Sequence, residues 1–372
     1  METLFWISVA LVAYVFAGYP ALLALWSAAA ARPVRRRTSA NTGEWPAVSV
    51  ILAAYNEGPR LRTRVGNLLD QRYAGPLEII VVSDGSTDDT AAVLESFRHR
   101  IRFLELPRGG KPAALNAGAF AATGEILVFA DARQRFAPDA IAELVCNFAD
   151  PDVGGVSGAL ILDCETATGR SSIGDGVGAY WRYEKWLRLH ESRVWSMLGA
   201  TGAIYALRRA LWQPLPPGTL LDDVLAPMRA VLAGKRIVFE ERARAFDRVA
   251  PNGSVESRRK TRTLAGNYQI LALEPRLLLP IANPVWVQYV SHKIGRLLVP
   301  WALIGLLVAS AFLASDHWFY AVALIVQLGF YGLAALGGWV ESREHERAGR
   351  ADELRRHGHP ETPGQTRTAH SA

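Results

Sequence analysis

Cysteine is nearly absent: Cys146 and Cys164 are the only two in 372 residues. Neither sits in a CxxC pair or a Cys/His cluster, so neither a disulfide framework nor a zinc site organises the chain. The sequence also has no GxGxxG and no GxxxxGK[ST]. A classical dinucleotide fold and a P-loop are therefore unsupported. No basic, aromatic-studded motif appears, which argues against nucleic acid as a partner despite the net charge of +6. Charge itself is missing over three long runs: Leu4 to Ala31, Leu297 to Ala314, and Trp318 to Val340.

The first run exceeds the roughly 20 residues that cross a bilayer. It starts beside Glu2 instead of a basic segment and is too long for the core of a signal peptide, although Ala28 to Ala31 resemble a cleavage site. A retained anchor is the expectation. Only Ser315 to His317 separate the other two runs, which predicts a helical hairpin; two buried core helices are the plainer alternative. Trp301, Trp318, Tyr320 and Trp339 fall where aromatic belts lie. Arg32, Arg35, Arg36 and Arg37 follow the first run, Lys293 and Arg296 precede the second, and Arg343, Arg347 and Arg350 follow the third. With three spans these all fall on one side, and the positive-inside bias makes that side cytoplasmic. The expectation is a multi-pass protein of the inner (plasma) membrane, in contact with membrane lipids, with its globular part in the cytoplasm.

The organisation then reads as an anchor over 1–31, a basic and polar linker over 32–44, a globular domain over 45–270, an amphipathic interfacial segment over 271–296, the hairpin over 297–340 and a charged tail over 341–372. In the globular part, "VSVILAA", "LEIIVVSD", "IRFLEL" and "EILVFAD" are short β-branched or aliphatic runs separated by helical segments. Such alternation, with strands apolar on both faces, predicts an α/β domain whose parallel sheet is covered on both sides. Ligands of such sheets bind outside the carboxyl ends of the strands. That rim receives Tyr55, Asn56 and Glu57 after the first strand, Ser83 to Ser86 after the second, and Asp131 after the fourth. One such cluster is ordinary turn chemistry; three on one edge point to a site.

The segments "AAYNE", "VVSDGSTDDT", "RGGKPAALNAG", "FADARQ", "GATGAIYALRR", "LLDDVLAPMRAVLAGKR" and "RRKTRTLAGNYQ" resemble, in order and spacing, those of family 2 glycosyltransferases. The resemblance spans Val48 to Gln269 and implies the GT-A fold, a Rossmann-like mixed sheet flanked by helices. The membrane runs resemble those of polysaccharide synthases and lipid-glycosylating enzymes. The resemblance implies that Asp84 accepts a hydrogen bond from the base, and that Ala53, Tyr55, Glu57 and Ser86 line the nucleoside pocket. Lys111 would lie near the diphosphate, at a helix start where the dipole alone disfavours a cation. Asn116 and Gly118 would let that helix pack close to the sheet.

Asp131 matches the first carboxylate of the family's DxD metal motif, implying Mg²⁺ or Mn²⁺, but residue 133 is Arg where the second carboxylate stands. Asp131 would then hold the ion with the diphosphate, or Arg133 would pair with phosphate oxygens, or Arg133 would form a structural salt bridge. The adjacent acids Asp222 and Asp223 repel, which raises one pKa toward a value suited to proton abstraction. Asp223 matches the family's general base, and Asp222 also suits a helix N-cap. Gly199, Thr201 and Gly202 resemble the floor of the acceptor site, with Asp222 beside it. Trp181 would stack on a sugar or simply pack its helix. Arg259 and Arg262 fall where processive relatives carry QxxRW, whose Gln and Trp are absent here. The implied activity is an inverting transfer from a nucleotide sugar, a UDP-sugar, to a lipid-linked or polysaccharide acceptor. The alternatives are a processive synthase that also exports its chain, and an inactive membrane scaffold. Export or assembly proteins are conceivable partners.

Overall fold

β-branched and aliphatic strands with both faces apolar can only settle in the middle of a layered domain. In the computed structural model, which describes residues 1–37, 44–163, 172–248 and 253–357, they do so. β1 (Val48–Ala54), β2 (Leu77–Asp84), β3 (Arg102–Leu106) and β4 (Ile126–Ala130) pair in parallel. Alternate residues of β1 enter different cores. Val48, Val50 and Leu52 join one cluster with Leu61, Val65 and Leu68, and Ile51 joins another with Leu115 and Phe129. Full burial of each such side chain stabilises by about 1.5–3 kcal/mol.

The local strand pattern predicts only the parallel half, and the whole sheet is mixed, as the resemblance to the GT-A fold implies. β5 (Arg135–Phe136), β6 (Val153–Asp163), β7 (Ile204–Arg208) and β8 (Arg236–Arg248) extend it to eight strands in the order β3-β2-β1-β4-β7-β6-β8-β5. β7 runs antiparallel to both neighbours, β4 and β6. Phe129 on β4 stacks on Tyr205 of β7 with ring centroids 4.6 Å apart, which ties the reversed strand to the parallel half.

The helices, in chain order, are α1 (Glu2–Ala29), α2 (Gly58–Leu69), α3 (Thr90–Glu95), α4 (Lys111–Ala121), α5 (Ala140–Val145), α6 (Ser172–Val194), α7 (Asp222–Leu232), α8 (Gly253–Leu273), α9 (Trp286–Leu313) and α10 (Trp318–His357). α1, α9 and the Trp318–Val340 part of α10 are long and apolar enough to cross a membrane. α1 contains a π turn over Tyr14–Gly18, and α9 another over Val290–Ile294.

Two compact units divide the chain: Val9–Val249 with Arg258–Ala302, and Met1–Ser8 with Ala250–Ser257 and Leu303–Ala372. In the second, Phe5 packs edge-on against Tyr320 with centroids 4.9 Å apart. Gln327 donates to the Leu303 carbonyl at 2.8 Å. Of the sequence readings, residues 38–43 of the linker, Cys164, and the tail beyond 357 lie outside the described residues.

Candidate active site

The carboxyl ends of β1, β2 and β4 open on one rim, and the loops there are knitted together. Asn56, at φ 53°, receives the Thr87 amide on Oδ1 at 2.8 Å. The Asn56 amide donates to Ser86 Oγ at 3.1 Å, and the Glu57 amide to Thr90 Oγ1 at 3.1 Å. Ser86 also accepts from Ser83 Oγ at 3.0 Å. These bonds fix Tyr55, which stays exposed at the rim.

Asp84 ends β2 with its side chain almost wholly buried. Its Oδ1 accepts the amides of Gly109 at 2.7 Å and Gly110 at 3.0 Å, and its Oδ2 is paired with Arg108. The Arg108 guanidinium lies over the Tyr55 ring at 3.4 Å. Gly85 and Gly110 hold φ of +65° and +85°; a Cβ on Gly85 would come within 2.6 Å of the Arg108 amide. Sequence reasoning passed over Arg108, although it opens the segment "RGGKPAALNAG".

α4 begins at Lys111. Its approach to the sheet depends on Gly118, where a Cβ would stand 2.6 Å from Ile51 Cγ2. Asn116 ties its far side to Leu215 by two bonds of 2.9 Å. Lys111 Nζ lies 3.1 Å from Asp131 Oδ1 and 3.3 Å from Asp222 Oδ2. Burial works against its charge, but Asp222, Asp131 and Asp223 prevail and raise its pKa. Asp222 therefore acts as a partner of Lys111. It does not cap α7, since it is that helix's first residue and Leu221 precedes it without a side-chain bond.

Asp223 accepts the Gly202 amide on Oδ2 at 3.0 Å. Burial first, and the neighbouring Asp222 next, push its pKa up to about 6. A Cβ on Gly202 would meet that oxygen at 2.7 Å, and Gly199 holds φ of +124° beneath it. Thr201 accepts Arg188 Nη1 at 2.8 Å and exchanges bonds with Ser157. The buried Tyr205 hydroxyl has no partner among the described residues and feels Asp222, Asp223 and Asp131. Lys111, Asp131, Asp222, Asp223, Thr201 and Gly202 thus form one connected constellation. Trp181 is half-buried on α6, and Arg259 and Arg262 are exposed on α8.

Arg133 is paired within the protein: its Nη2 lies 2.5 Å from Asp247 Oδ2, which also accepts Gln134 Nε2 at 2.9 Å. Of the three readings of residue 133, the structural salt bridge is the one seen. Among the described residues no group of three His, Cys, Asp or Glu side chains is arranged to hold a metal ion. The donor set thus fits an ion of the Mg²⁺ type only in its least demanding form, with one protein carboxylate and the remaining oxygens from water and a diphosphate. Asp131 would be that carboxylate.

The family model described as Glycosyl transferase family 2 matches residues 49–210. An N-acetylglucosaminyltransferase of Mesorhizobium japonicum is 33% identical over 156 residues, 40% of this chain, and the chain spans 35% of that relative's length. One of Rhizobium leguminosarum bv. trifolii is 31% identical over 140 residues, covering 35% of this chain and 77% of the relative. In structure, a mannosyltransferase from Pyrobaculum calidifontis, solved with GDP-Man and Mn²⁺, superposes with TM-score 0.66 at 24% identity over 89% of this chain and 92% of that one. The family model covers the strands that carry Asp84 and Asp131, and the fold likeness extends over nearly the whole chain. The chain belongs to glycosyltransferase family 2, and its mixed sheet is that family's GT-A fold.

Proposed function

We propose that this glycosyltransferase transfers a sugar from a UDP-sugar to a lipid-linked or polysaccharide acceptor at the cytoplasmic face of the plasma membrane, inverting the anomeric carbon. One observation carries the reading. Asp223 is a carboxylate with its pKa pushed up to about 6, beside a lysine that already gathers Asp131 and Asp222. A base must be unprotonated yet basic enough to accept a proton, and a value near working pH meets both demands.

Three sets of residues divide the work. Asp84, Arg108 and Tyr55 receive the base, with Ala53, Glu57 and Ser86 around the nucleoside; the base donates to Asp84, and Arg108 shifts to let it in. Lys111 moves from the carboxylates to the diphosphate, and Arg259 and Arg262 close on the same oxygens. A divalent ion at Asp131 would add positive charge against the leaving diphosphate. On the other side, Asp223 takes the proton of an acceptor hydroxyl. The Gly202 amide holds the carboxylate in place, Gly199 and Thr201 form the floor, and Trp181 offers a ring to a sugar face. The relatives' name recommends N-acetylglucosamine as the first sugar to try.

The test is direct. Membranes carrying the protein are incubated with a panel of radiolabelled nucleotide sugars, with and without Mg²⁺ or Mn²⁺, and lipid and polymer fractions are counted. Transfer from one UDP-sugar that disappears in Asp223→Asn supports the reading. Transfer undiminished in Asp223→Asn removes the assigned base.

A further inference from the structure

α6 carries Glu184, Arg188 and Glu191 at spacings of four and three residues, which sets them in one stripe along the helix. The two carboxylates are bonded to the apolar helices. Glu191 Oε1 accepts the Tyr19 hydroxyl of α1 at 2.8 Å and lies 2.6 Å from His292 Nδ1 of α9. Glu184 is paired with Arg296 of α9, and His292 Nε2 lies 3.8 Å from it. His292, which the sequence places at the membrane interface, is buried between them. The last turns of α6 are fastened as well. Leu187 and Val194 pack with Tyr19 and Leu23, Gln288 Nε2 donates to the Glu191 carbonyl at 3.3 Å, and Ser192 Oγ accepts the Phe239 amide at 3.0 Å.

Arg188 is the middle member of that stripe, and among the described residues it makes no ion pair. Its Nη1 donates instead to the neutral Thr201 Oγ1 at 2.8 Å. Thr201 stands in the turn that grips Asp223 twice: the Gly202 amide donates to Asp223 Oδ2 at 3.0 Å, and the Ala200 amide to the Asp223 carbonyl at 2.7 Å. Glycines at both ends leave this turn little stiffness of its own. Ala200 has no polar side chain, so Thr201 is where the turn can be tethered. One tether is Ser157, which exchanges two bonds with Thr201 at 2.9 and 3.1 Å. The other is the Arg188 guanidinium, a charged and therefore stronger donor, on a helix held from three sides.

We propose that Arg188 is a positioning residue for Asp223: by fixing Thr201 it fixes the turn whose Gly202 amide holds that carboxylate. This rests on the transferase reading above, which makes Asp223 the base, and adds to it a residue that touches neither substrate.

The full-length protein in detergent is assayed with the UDP-sugar that the donor panel selects. Arg188→Met should lower kcat about 10–100-fold, the scale on which a catalytic group displaced by about 1 Å loses rate. Affinity for UDP and KM for the acceptor should stay within about twofold, because the lost contact acts only in the reaction step. Thr201→Val should do the same, and the double variant should be no worse than either single one. An amide bonded to a carboxylate favours the ionised form, so loosening it should move the rise of kcat with pH above about 6 in both single variants. Asp222, Lys111, Asp131 and Lys293, the charges acting on Asp223, are the same in all of them. Thr201→Val changes no charge, so a shift there cannot come from a lost cation, and that variant alone decides the matter if Arg188→Met fails to fold. Deuterium uptake by the peptide spanning residues 199–202 should quicken in both variants, with no turnover needed. Unchanged kcat or uptake, losses that multiply in the double variant, an unmoved pH profile, or a raised acceptor KM at constant kcat overturns the proposal. Absence of transfer by the wild type, with the uptake effect present, counts against the transferase reading alone.

Discussion

Asp223 and Arg133 are the residues at which single changes separate chemistry from stability. A general base at Asp223 would have to be ionised, so transfer should rise with pH and level off with an apparent pKa of about 6. Asp223→Asn should lower kcat by about 10²–10⁴ while leaving UDP affinity in place. The stability effect has the opposite sign. The folded pKa lies above that of an unfolded aspartate, roughly 3.9, so the native state holds the proton more tightly. Stability is therefore lost as pH rises from the unfolded value through about 6. Asp223→Asn should melt higher than wild type at pH 8, and the gap should close at acid pH. At residue 133, Arg133→Ala leaves Asp247, a carboxylate 2% exposed, with Gln134 as its remaining partner. A loss of about 1–3 kcal/mol in denaturant unfolding is expected. Arg133→Asp restores the letter of the metal motif but sets two carboxylates against each other. It should destabilise further and bring no gain in Mn²⁺ affinity by calorimetry, and Arg133→Asp with Asp247→Arg should recover the loss.

Among the elements, α4 and the Gly199–Gly202 turn are held by what their glycines lack. Gly118→Ala drives a Cβ to 2.6 Å from Ile51 and should lift α4 from β1, costing about 1–3 kcal/mol in unfolding experiments. Gly202→Ala presses on Asp223 Oδ2 at 2.7 Å and should lower kcat, with donor affinity little changed. Both glycines were legible in the sequence. So were β1, β2, β3 and β4, because a strand buried on both faces writes itself as an unbroken apolar run. The antiparallel β7 was not, since its direction depends on pairing with β4 and β6, which no local pattern encodes. The rim acids were legible from their place after each strand. Their partners were less so: Arg133 meets Asp247 across 114 positions, and His292 meets Glu191 across 101. A salt bridge closed over such a span leaves no periodicity to read.

For the whole molecule, the basic residues beside α1 carry two duties that the sequence shows as one. They read as topology signals, yet Arg36 is 2.5 Å from Glu143 and 3.1 Å from Glu240, and Arg32 lies over Trp195 at 4.3 Å. The segment after the first apolar helix is thus fastened to the catalytic sheet and cannot be on the opposite side of a membrane from it. The three apolar helices then fix the rest by parity. If all three cross and the basic flanks are cytoplasmic, the Ser315 to His317 turn is extracytoplasmic and Glu44 is not. Cys146 and Cys164 replaced by alanine give a background without thiols. On it, Ser315→Cys should react with a membrane-impermeant maleimide in intact cells, and Glu44→Cys only after permeabilisation. Labelling of both in intact cells would put the nucleotide-sugar site on the side where no nucleotide sugar is made, and would overturn the cytoplasmic assignment together with the acceptor geometry built on it.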